Sequence, residues 1–328
     1  MIKNVVLTLM QIKGISRKSI LKKFKINSMS CSEEEFKDIF KIAAMNNKGI
    51  VIPTKNEISV AVDRQLEIID LNEKNDINIV TYYDDKFPCK LRTINDPPVL
   101  LYYKGNIDSL DNKCIAIIGT REPTEHGIKV ARQFGYIFGR DGYTVVSGLA
   151  TGCDTFGHIG CVQSNGITAA VLAGGLDKVY PKANRELSEK ILDIGGCLLS
   201  EYATGTKPFK STFVERDRLQ SGLSDGVLVI ETDIKGGTMH TVQDCLDANR
   251  ILACYNHPLD LLKEGKTRGN QRLIQEGKAI PIANNEDVDL FKDKMQQIVY
   301  KDKNGICSKE EQQDIFQYLN MKEVIKWE

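Results

Sequence analysis

The chain has 328 residues, of which 41% are hydrophobic and 27% charged, a composition typical of a globular protein with a sizeable core. Lysine plus arginine equals aspartate plus glutamate at 44 each, so any attraction to a polyanion has to come from local patches and not from the net charge. No apolar run approaches the roughly 20 residues that a membrane-spanning helix needs, which argues against a membrane protein.

Residues 1–75 show apolar positions at three- and four-residue spacing, which predicts a small helical domain. Within it, residues 12–18 (IKGISRK) resemble a helix-hairpin-helix, in which Gly14 permits a tight turn and backbone N–H groups and basic side chains meet a DNA phosphate. A solvated basic face on a helical bundle explains the same residues, and both interpretations stay open.

The segment from about residue 78 to 112 is punctuated by prolines and is predicted to be a connection. After it, short β-branched runs alternate with helical segments, which is typical of a parallel sheet covered by helices on both faces. The predicted strands are 114–118, 144–147, 168–172, 197–200, 226–230, 251–255 and 279–282.

These elements predict a doubly wound α/β domain, with its best-defined part between residues 113 and 282 and its boundaries at 76–283. Residues 284–328 are predicted to form a short helical tail. Ligands of such sheets bind at the carboxyl ends of the strands, so the loops that follow the strands are the candidate site.

The first strand leads into Gly119-Thr120-Arg121, and the next helix begins near Thr124. Unpaired N–H groups at a helix N-terminus bind anions, and Arg121 can fork onto phosphate oxygens. A plain β–α turn would look the same. The GxGxxG pattern is absent, so no dinucleotide cofactor is expected.

The second strand ends in Ser147-Gly148, part of a glycine-rich loop that leads into a helix with Asp154 and His158 four residues apart. Such a pair shares one helical face, where it can act as a general base or form a mutual hydrogen bond that fixes the loop. We favour the second interpretation and expect scaffolding rather than a catalytic residue.

Two further glycine motifs follow later strands. Gly174-Gly175 ends the third strand, where close approach of a ligand or an ordinary turn would explain it. Gly236-Gly237-Thr238 opens a helix and offers a second N-terminus suited to an anion.

A basic segment lies between the fourth and fifth of these strands, with Lys207, Lys210, Phe213, Arg216 and Arg218. Arg216 and Arg218 would not share one side of a helix, so a loop or a helix start is predicted. Cations with interleaved phenylalanine are typical of single-strand binding, where aromatic stacking contributes roughly 1–3 kcal/mol per base. The alternative is that Phe213 lies in the core and that the lysine and arginine side chains of this segment are simply solvated.

Nine cysteines are scattered without a CxxC pair, and the N-terminus does not resemble a signal peptide. This usage favours a reducing compartment, so a cytoplasmic protein is expected. Cys153, His158 and Cys161 are the only close set of possible metal ligands, and no metal is expected there.

Taken in order, the motifs resemble the DprA/Smf DNA-processing family over about residues 78–283. The residues that carry the resemblance are Phe87-Pro88, Asp96-Pro97-Pro98, Gly119-Thr120-Arg121, residues 147–154 (SGLATGCD), Tyr180-Pro181 and residues 199–202 (LSEY). The helical N-terminal region is similar to the SAM-like domain of many members.

This resemblance implies an extended Rossmann-like domain that binds single-stranded DNA, forms a homodimer and assists a RecA-like recombinase, without enzymatic activity. By resemblance, Arg121 binds a phosphate, and Phe213, Arg216 and Arg218 lie in the DNA pocket. One departure is Asp217, since the family typically has Arg-Asn-Arg where this chain has RDR. Its carboxylate would stand beside the expected phosphates.

Two other functions remain open. A sensor or enzyme for a nucleotide-like small molecule would use Glu231, His240 and Asp217, since Rossmann proteins such as cytokinin-activating phosphoribohydrolases have a comparable Gly-Gly-Thr loop. A scaffold that binds only protein would bind neither DNA nor a nucleotide.

Overall fold

The computed structural model describes residues 2–24, 26, 33–47, 49–302 and 305–306. The helices are α1 (Ile2–Gln11), α2 (Arg17–Lys23), α3 (Glu33–Asn46), α4 (Lys55–Glu73), α5 (Cys89–Arg92), α6 (Glu125–Arg140), α7 (Cys153–Gln163), α8 (Arg185–Asp193), α9 (Lys210–Leu223), α10 (Thr238–Asp247), α11 (Arg268–Gln275) and α12 (Asn285–Gln296). The strands are β1 (Asn78–Thr81), β2 (Leu100–Gly105), β3 (Cys114–Ile118), β4 (Thr144–Ser147), β5 (Thr168–Val171), β6 (Cys197–Ser200), β7 (Gly226–Val229), β8 (Ile251–Tyr255), β9 (Ile280–Ile282), β10 (Lys301–Asp302) and β11 (Gly305–Ile306). None of the described helices is both long and apolar enough to span a bilayer.

In this part of the chain, nine strands form one sheet in the order β1-β2-β6-β5-β4-β3-β7-β8-β9. The strands from β3 to β9 are parallel, which confirms the predicted doubly wound, mostly parallel α/β fold. From β3 the chain builds the sheet outward through β4, β5 and β6, and then returns to place β7 on the other side of β3. The strand order therefore reverses between β3 and β7, where a crevice opens at the carboxyl ends.

The prediction of a plain connection over residues 78–112 is wrong, because this segment contains β1 and β2. β2 pairs antiparallel with β6, and β1 pairs antiparallel with β2, so the two strands extend one edge of the sheet. The prolines that suggested a connection fall between these strands and not inside them.

Helices cover both faces of the sheet, because side chains of the central strands alternate between two cores. Ile115 and Ile117 of β3 pack in one core with Phe138 of α6 and Phe291 of α12. Ala116, between them, belongs to the opposite core with α10 and α11. The predicted tail thus begins with a helix that covers the sheet, and its residues 303, 304 and 307–328 lie outside the described part of the chain.

The N-terminal helices form the predicted hairpin and pack on the edge of the sheet. Gly14 has φ +86° in the turn between α1 and α2, and the Ser16 side chain caps α2. Arg17 lies 2.7 Å from Asp96 and 3.1 Å from Glu215, so this basic residue faces carboxylates of the sheet domain. The basic hairpin thus contributes to docking of the N-terminal helices.

A buried polar cluster fixes the chain beyond α12 to the amino-terminal edge of the sheet. The hydroxyl of Tyr300 donates to Asp225, 2.5 Å away, and the guanidinium of Arg250 stacks 4.4 Å from the centre of the Tyr300 ring. Asp225 also accepts from the Cys114 N–H and from the Lys90 ammonium group. Burial, followed by the nearby Asp225, raises the pKa of Tyr300, so the phenol stays protonated as a donor.

We expect Tyr300→Phe to destabilise the protein by about 1 kcal/mol, because the buried Asp225 loses the hydrogen bond from the phenol and keeps its contact with Lys90, while the ring remains. Urea unfolding measures the change. Tyr136→Phe, at a tyrosine that is 44% exposed, is the control and should change the free energy of unfolding little. Equal effects of the two substitutions would contradict the proposed anchoring.

Candidate nucleic-acid interface

A cavity of about 640 Å³ lies at the point where the strand order reverses, within the size range of small-ligand sites. Its walls are the loops that follow β3 and β7, together with α9 and the start of α10. Nine of the fourteen predicted site residues line it: Gly119, Thr120, Arg121, Lys210, Phe213, Arg216, Gly236, Gly237 and Thr238.

The loop after β3 is held tightly against its neighbours and leaves Arg121 exposed. The Thr120 N–H donates to the Glu231 carbonyl at 2.8 Å, and its carbonyl accepts from Cys153 at 3.1 Å. A Cβ at Gly119 would lie 2.5 Å from the Cys153 sulfur, so only glycine fits this turn. The Arg121 guanidinium lies 4.6 Å from the centre of the Phe213 ring, within the range of a cation–π contact.

Glu231 orients this loop and does not line the cavity. It is fully buried, and its carboxylate accepts from the N–H of Thr124 at 2.8 Å and from the Thr124 hydroxyl at 2.5 Å. Thr124 in turn caps α6 through the Gly127 N–H, and a Cβ at Gly127 would lie 2.4 Å from the Glu231 carboxyl carbon. The carboxylate suggested for a nucleotide enzyme is therefore engaged in the fold, away from Asp217 and His240, which line the cavity.

The second wall is the N-terminus of α10. Gly237 occupies the N-cap position and is exposed, with open space around its α-carbon. Gly236 closes a turn by donating its N–H to the Asp233 carbonyl at 2.9 Å. The N–H groups of Met239 and His240 already donate to the carbonyls of Gly236 and Gly237, at 3.1 and 3.0 Å. The donors that this wall offers to an anion are therefore the N–H groups of Gly237 and Thr238, at the positive end of the helix dipole.

The basic segment is a helix, and the prediction that Arg216 and Arg218 flank a loop or a helix start is wrong. Both lie inside α9, with Lys210 as its first residue. Residues that are two positions apart on a helix point in nearly opposite directions, and the side chains of Arg216 and Arg218 do so here. Arg216 lines the cavity, whereas Arg218 forms a two-pronged ion pair with Glu201, at 2.6 and 2.7 Å, outside the cavity lining.

Arg216 forms part of the floor of the cavity and is only 3% exposed. Its Nη1 donates to the Val171 carbonyl at 2.6 Å, and its Nε lies 3.2 Å from an oxygen of Asp217. A Cβ at Gly148 would lie 1.8 Å from Nη1. Gly148 therefore acts on the site indirectly, by leaving room for the guanidinium.

Three other predicted site residues support the walls without lining them. The Ser147 hydroxyl donates to the Ile117 carbonyl at 2.7 Å, which ties β4 to β3. Gly175 donates to the Thr206 carbonyl at 2.9 Å, and a Cβ at Gly174 would lie 2.8 Å from that carbonyl oxygen. The segment that approaches this glycine pair closely is thus the chain's own loop before α9.

Asp154 and His158 stabilise the scaffold through separate partners, so the expected mutual hydrogen bond is wrong. The Asp154 carboxylate accepts from the N–H groups of Gly148 and Ala150, at 3.2 and 3.3 Å. His158 Nδ1 lies 2.6 Å from the Thr168 hydroxyl, which itself donates to a carbonyl, so Nδ1 carries the proton. Burial lowers the pKa of His158 to about 3, and the imidazole stays neutral.

Carboxyl groups on the floor set its electrostatics. Burial raises the pKa of Asp154 to about 6, and the neighbouring Asp217 adds to the effect while Arg216 opposes it. Burial also raises the pKa of Asp217, against the opposing influence of Arg216. The floor thus pairs one buried guanidinium with two carboxyl groups that resist ionisation.

Comparison with known proteins identifies the family. The family model of DNA recombination-mediator protein A matches residues 78–291. The chain belongs to this family. Among curated members, it is 38% identical over 207 residues to the DNA processing protein DprA of Streptococcus pneumoniae, covering 62% of this chain and 71% of that protein. It is 34% identical over 224 residues to the protein Smf of Synechocystis, covering 67% of this chain and 55% of that protein, so the match spans about half of that relative.

Solved structures of family members have the same architecture. The crystal structure of DprA from Streptococcus pneumoniae aligns with a TM-score of 0.64 at 29% identity, over 88% of this chain and 93% of that one. DprA from Helicobacter pylori, described for its single-stranded DNA binding mode, aligns with a TM-score of 0.58 at 28% identity, over 66% of this chain and 96% of that one. The DprA/Smf resemblance and the Rossmann-like fold are therefore confirmed.

The cavity of this DprA family member contains residues that sequence reasoning missed. Gln220 lies seven residues after Phe213 on α9, a spacing that would have placed both on one face had the helix been predicted. Asp233 and Lys266 also line it, and Lys266 comes from the segment after β8, where no local pattern marks it. Tyr180 stands beside the cavity with its ring centre 5.9 Å from that of Phe213.

The pKa of Asp154 makes stability depend on pH in a defined direction. Its pKa rises from 3.8 to about 6 on folding, so the protonated carboxyl favours the folded state. This stabilisation is complete below 3.8 and is lost as the pH rises through 6. Relative to Asp154→Asn, the wild-type free energy of unfolding should therefore fall over this interval, by on the order of 1–3 kcal/mol. Urea titrations of both proteins at several pH values measure it, and a difference that stays constant or grows with pH would contradict the assignment.

Proposed function

We propose that this chain is a single-stranded DNA-binding protein that mediates recombination, with the cavity between β3 and β7 as its DNA site. The observation that carries the proposal is that Arg121, Phe213 and the N-terminus of α10 line one cavity. Together they offer a cation, an aromatic face and backbone N–H groups, the three kinds of contact that single strands require.

Phosphates are bound at the rim in this proposal. Arg121 and Lys210 are exposed at the cavity, and the N-terminus of α10 faces it with Gly237. The open space around Gly237 lets a phosphate oxygen approach the backbone closely. Helix N-termini bind phosphate through just such amides and the helix dipole.

Bases stack on the aromatic side chains beside this rim. Phe213 is half-buried, which fixes its ring, while Tyr180 is 55% exposed and tilted by 56° against it. Every base has a π-face, so stacking on these rings binds strands with little regard to sequence.

Basic and acidic side chains line the cavity in equal number, so attraction to DNA depends on the particular side chains that the strand contacts. Four cations and four carboxylates line the cavity: Arg121, Lys210, Arg216 and Lys266 against Glu122, Asp154, Asp217 and Asp233. The proposal assigns no covalent chemistry to these groups, and Glu231, a candidate base, is occupied by Thr124.

Protection of single-stranded DNA, assistance to a RecA-like recombinase, a homodimeric state and a cytoplasmic location complete the proposal. Membership of the recombination-mediator family supports the protection of DNA and the assistance to a recombinase.

In a strand-exchange assay with a RecA-like recombinase and DNA coated by single-strand-binding protein, the wild-type chain should accelerate exchange, and Phe213→Ala should accelerate it less. Equal rates with and without the wild-type chain would contradict the mediator role.

Arg121→Ala should weaken binding of a labelled single-stranded oligonucleotide and reduce the slope of log affinity against log salt by about 0.7, the value for one phosphate contact on a single strand. Fluorescence anisotropy at several salt concentrations measures both quantities. Arg140→Ala is the matched control, because this exposed arginine is in the last turn of α6, at the opposite edge of the sheet.

Equal affinities and slopes for the wild type and Arg121→Ala would contradict the proposed site. Stabilisation of the protein by a mononucleotide in a thermal-shift assay, without any affinity for the oligonucleotide, would favour a nucleotide sensor instead.

A further inference from the structure

The start of α9, residues 210–215, forms a wall of the cavity without support from the hydrophobic core. The loop before it is fixed at Thr206, whose carbonyl accepts from Gly175. The structure describes all of residues 207–215, and none of them is buried. Lys210 and Phe213 lie in this stretch and line the cavity. Contacts at the protein surface therefore hold these two side chains in place.

Glu215 fastens the start of α9 from outside this cavity. It lines a second cavity, of about 400 Å³, between the N-terminal hairpin and the sheet domain. Its carboxylate accepts from Nη1 of Arg17 and from the hydroxyl of Tyr202, each at 3.1 Å. Burial, followed by the nearby Glu215, raises the pKa of Tyr202, so the phenol stays protonated as a donor. The wall of the DNA cavity is thus tied to helix α2 of the hairpin.

The hairpin also supplies positive charge to this joint. Three carboxylates meet there: Asp96, Glu201 and Glu215. Arg218 pairs with Glu201, whereas Arg17 and Lys18, both in α2, face Asp96. Without the Arg17 guanidinium, repulsion among the carboxylates would act most on Glu215, whose side chain is 45% exposed against 19% and 7% for the other two. Glu215 would turn towards solvent and release the start of α9.

We propose that Arg17 is a positioning residue of the DNA cavity, because through Glu215 it holds the start of α9 and keeps Phe213 against Arg121. The inference rests on the proposed single-stranded DNA function and adds the N-terminal helices as a support of its site. An isolated surface ion pair contributes little to stability. This pair matters because the stretch that it holds has no buried residue and opens at low cost.

Hydrogen exchange and DNA affinity test the inference together. Arg17→Met keeps the length of the side chain and removes the guanidinium. In this variant the amides of residues 213–216 should exchange at least about threefold faster, because the wall is in place less often. A labelled single-stranded oligonucleotide should bind about three- to tenfold more weakly, with an unchanged slope of log affinity against log salt, because no phosphate contact is lost. Peptides from α1, whose Val5 and Leu9 are fully buried, should exchange as in the wild type.

Two further variants serve as a second test and as a control. Tyr202→Phe removes the other donor to Glu215 without changing any charge, and should increase exchange and weaken binding by about two- to fivefold. Lys22→Met removes an exposed positive charge from the same helix, α2, and should leave both quantities unchanged. Circular dichroism confirms that each variant folds, and Tyr202→Phe keeps the test decisive if Arg17→Met does not.

The other outcomes separate this inference from the proposed function. Unchanged affinity of Arg17→Met, with or without faster exchange in α9, would overturn the inference. A slope reduced by about 0.7 with unchanged exchange would mean that Arg17 itself contacts a phosphate, and would overturn it too. Equal acceleration of exchange in α1 and α9 would assign Arg17 to general stability, against the inference. If the wild type binds no oligonucleotide, the proposed function fails, while the exchange of α9 still decides whether Arg17 holds the wall.

Discussion

The site depends on one constraint, the reversal of the strand order between β3 and β7. The helices that follow these two strands, α6 and α10, cover opposite faces of the sheet, so the connecting loops part and leave a crevice. On the β3 side of this crevice, Glu231 accepts hydrogen bonds from Thr124, and Thr124 caps the start of α6. Arg121 precedes this cap in the same loop, and the N-terminus of α10 lines the cavity opposite it.

The rim and the floor of the cavity carry different groups. Its rim has an exposed guanidinium, backbone N–H groups and two neighbouring aromatic rings, which suit a phosphate backbone and stacked bases. Its floor has Arg216 between carboxyl groups whose pKa values are raised by burial. Asp217, which stands where the resemblance to the family leads us to expect asparagine, thus adds a carboxyl group beside Arg216.

Much of the fold could be predicted because the central strands are buried on both faces. Residues 114–118 are uniformly apolar, and β3 has these bounds. α9 was missed for a physical reason: its buried face includes Arg216, Gln220 and Ser221, so apolar periodicity does not mark it as a helix. The ion pair that removes Arg218 from the cavity joins it to Glu201, and no local pattern predicts such a distant partner.

Photo-crosslinking tests the central claim most directly, because it reports where the strand lies. A single-stranded oligonucleotide that carries a photoreactive 5-iodouracil is irradiated with the protein, and the crosslinked residue is identified by mass spectrometry. The account predicts crosslinks at Phe213 or Tyr180, the aromatic side chains beside the rim. Crosslinks confined to the N-terminal helices or to the region of Tyr300, at the opposite edge of the sheet, would contradict it.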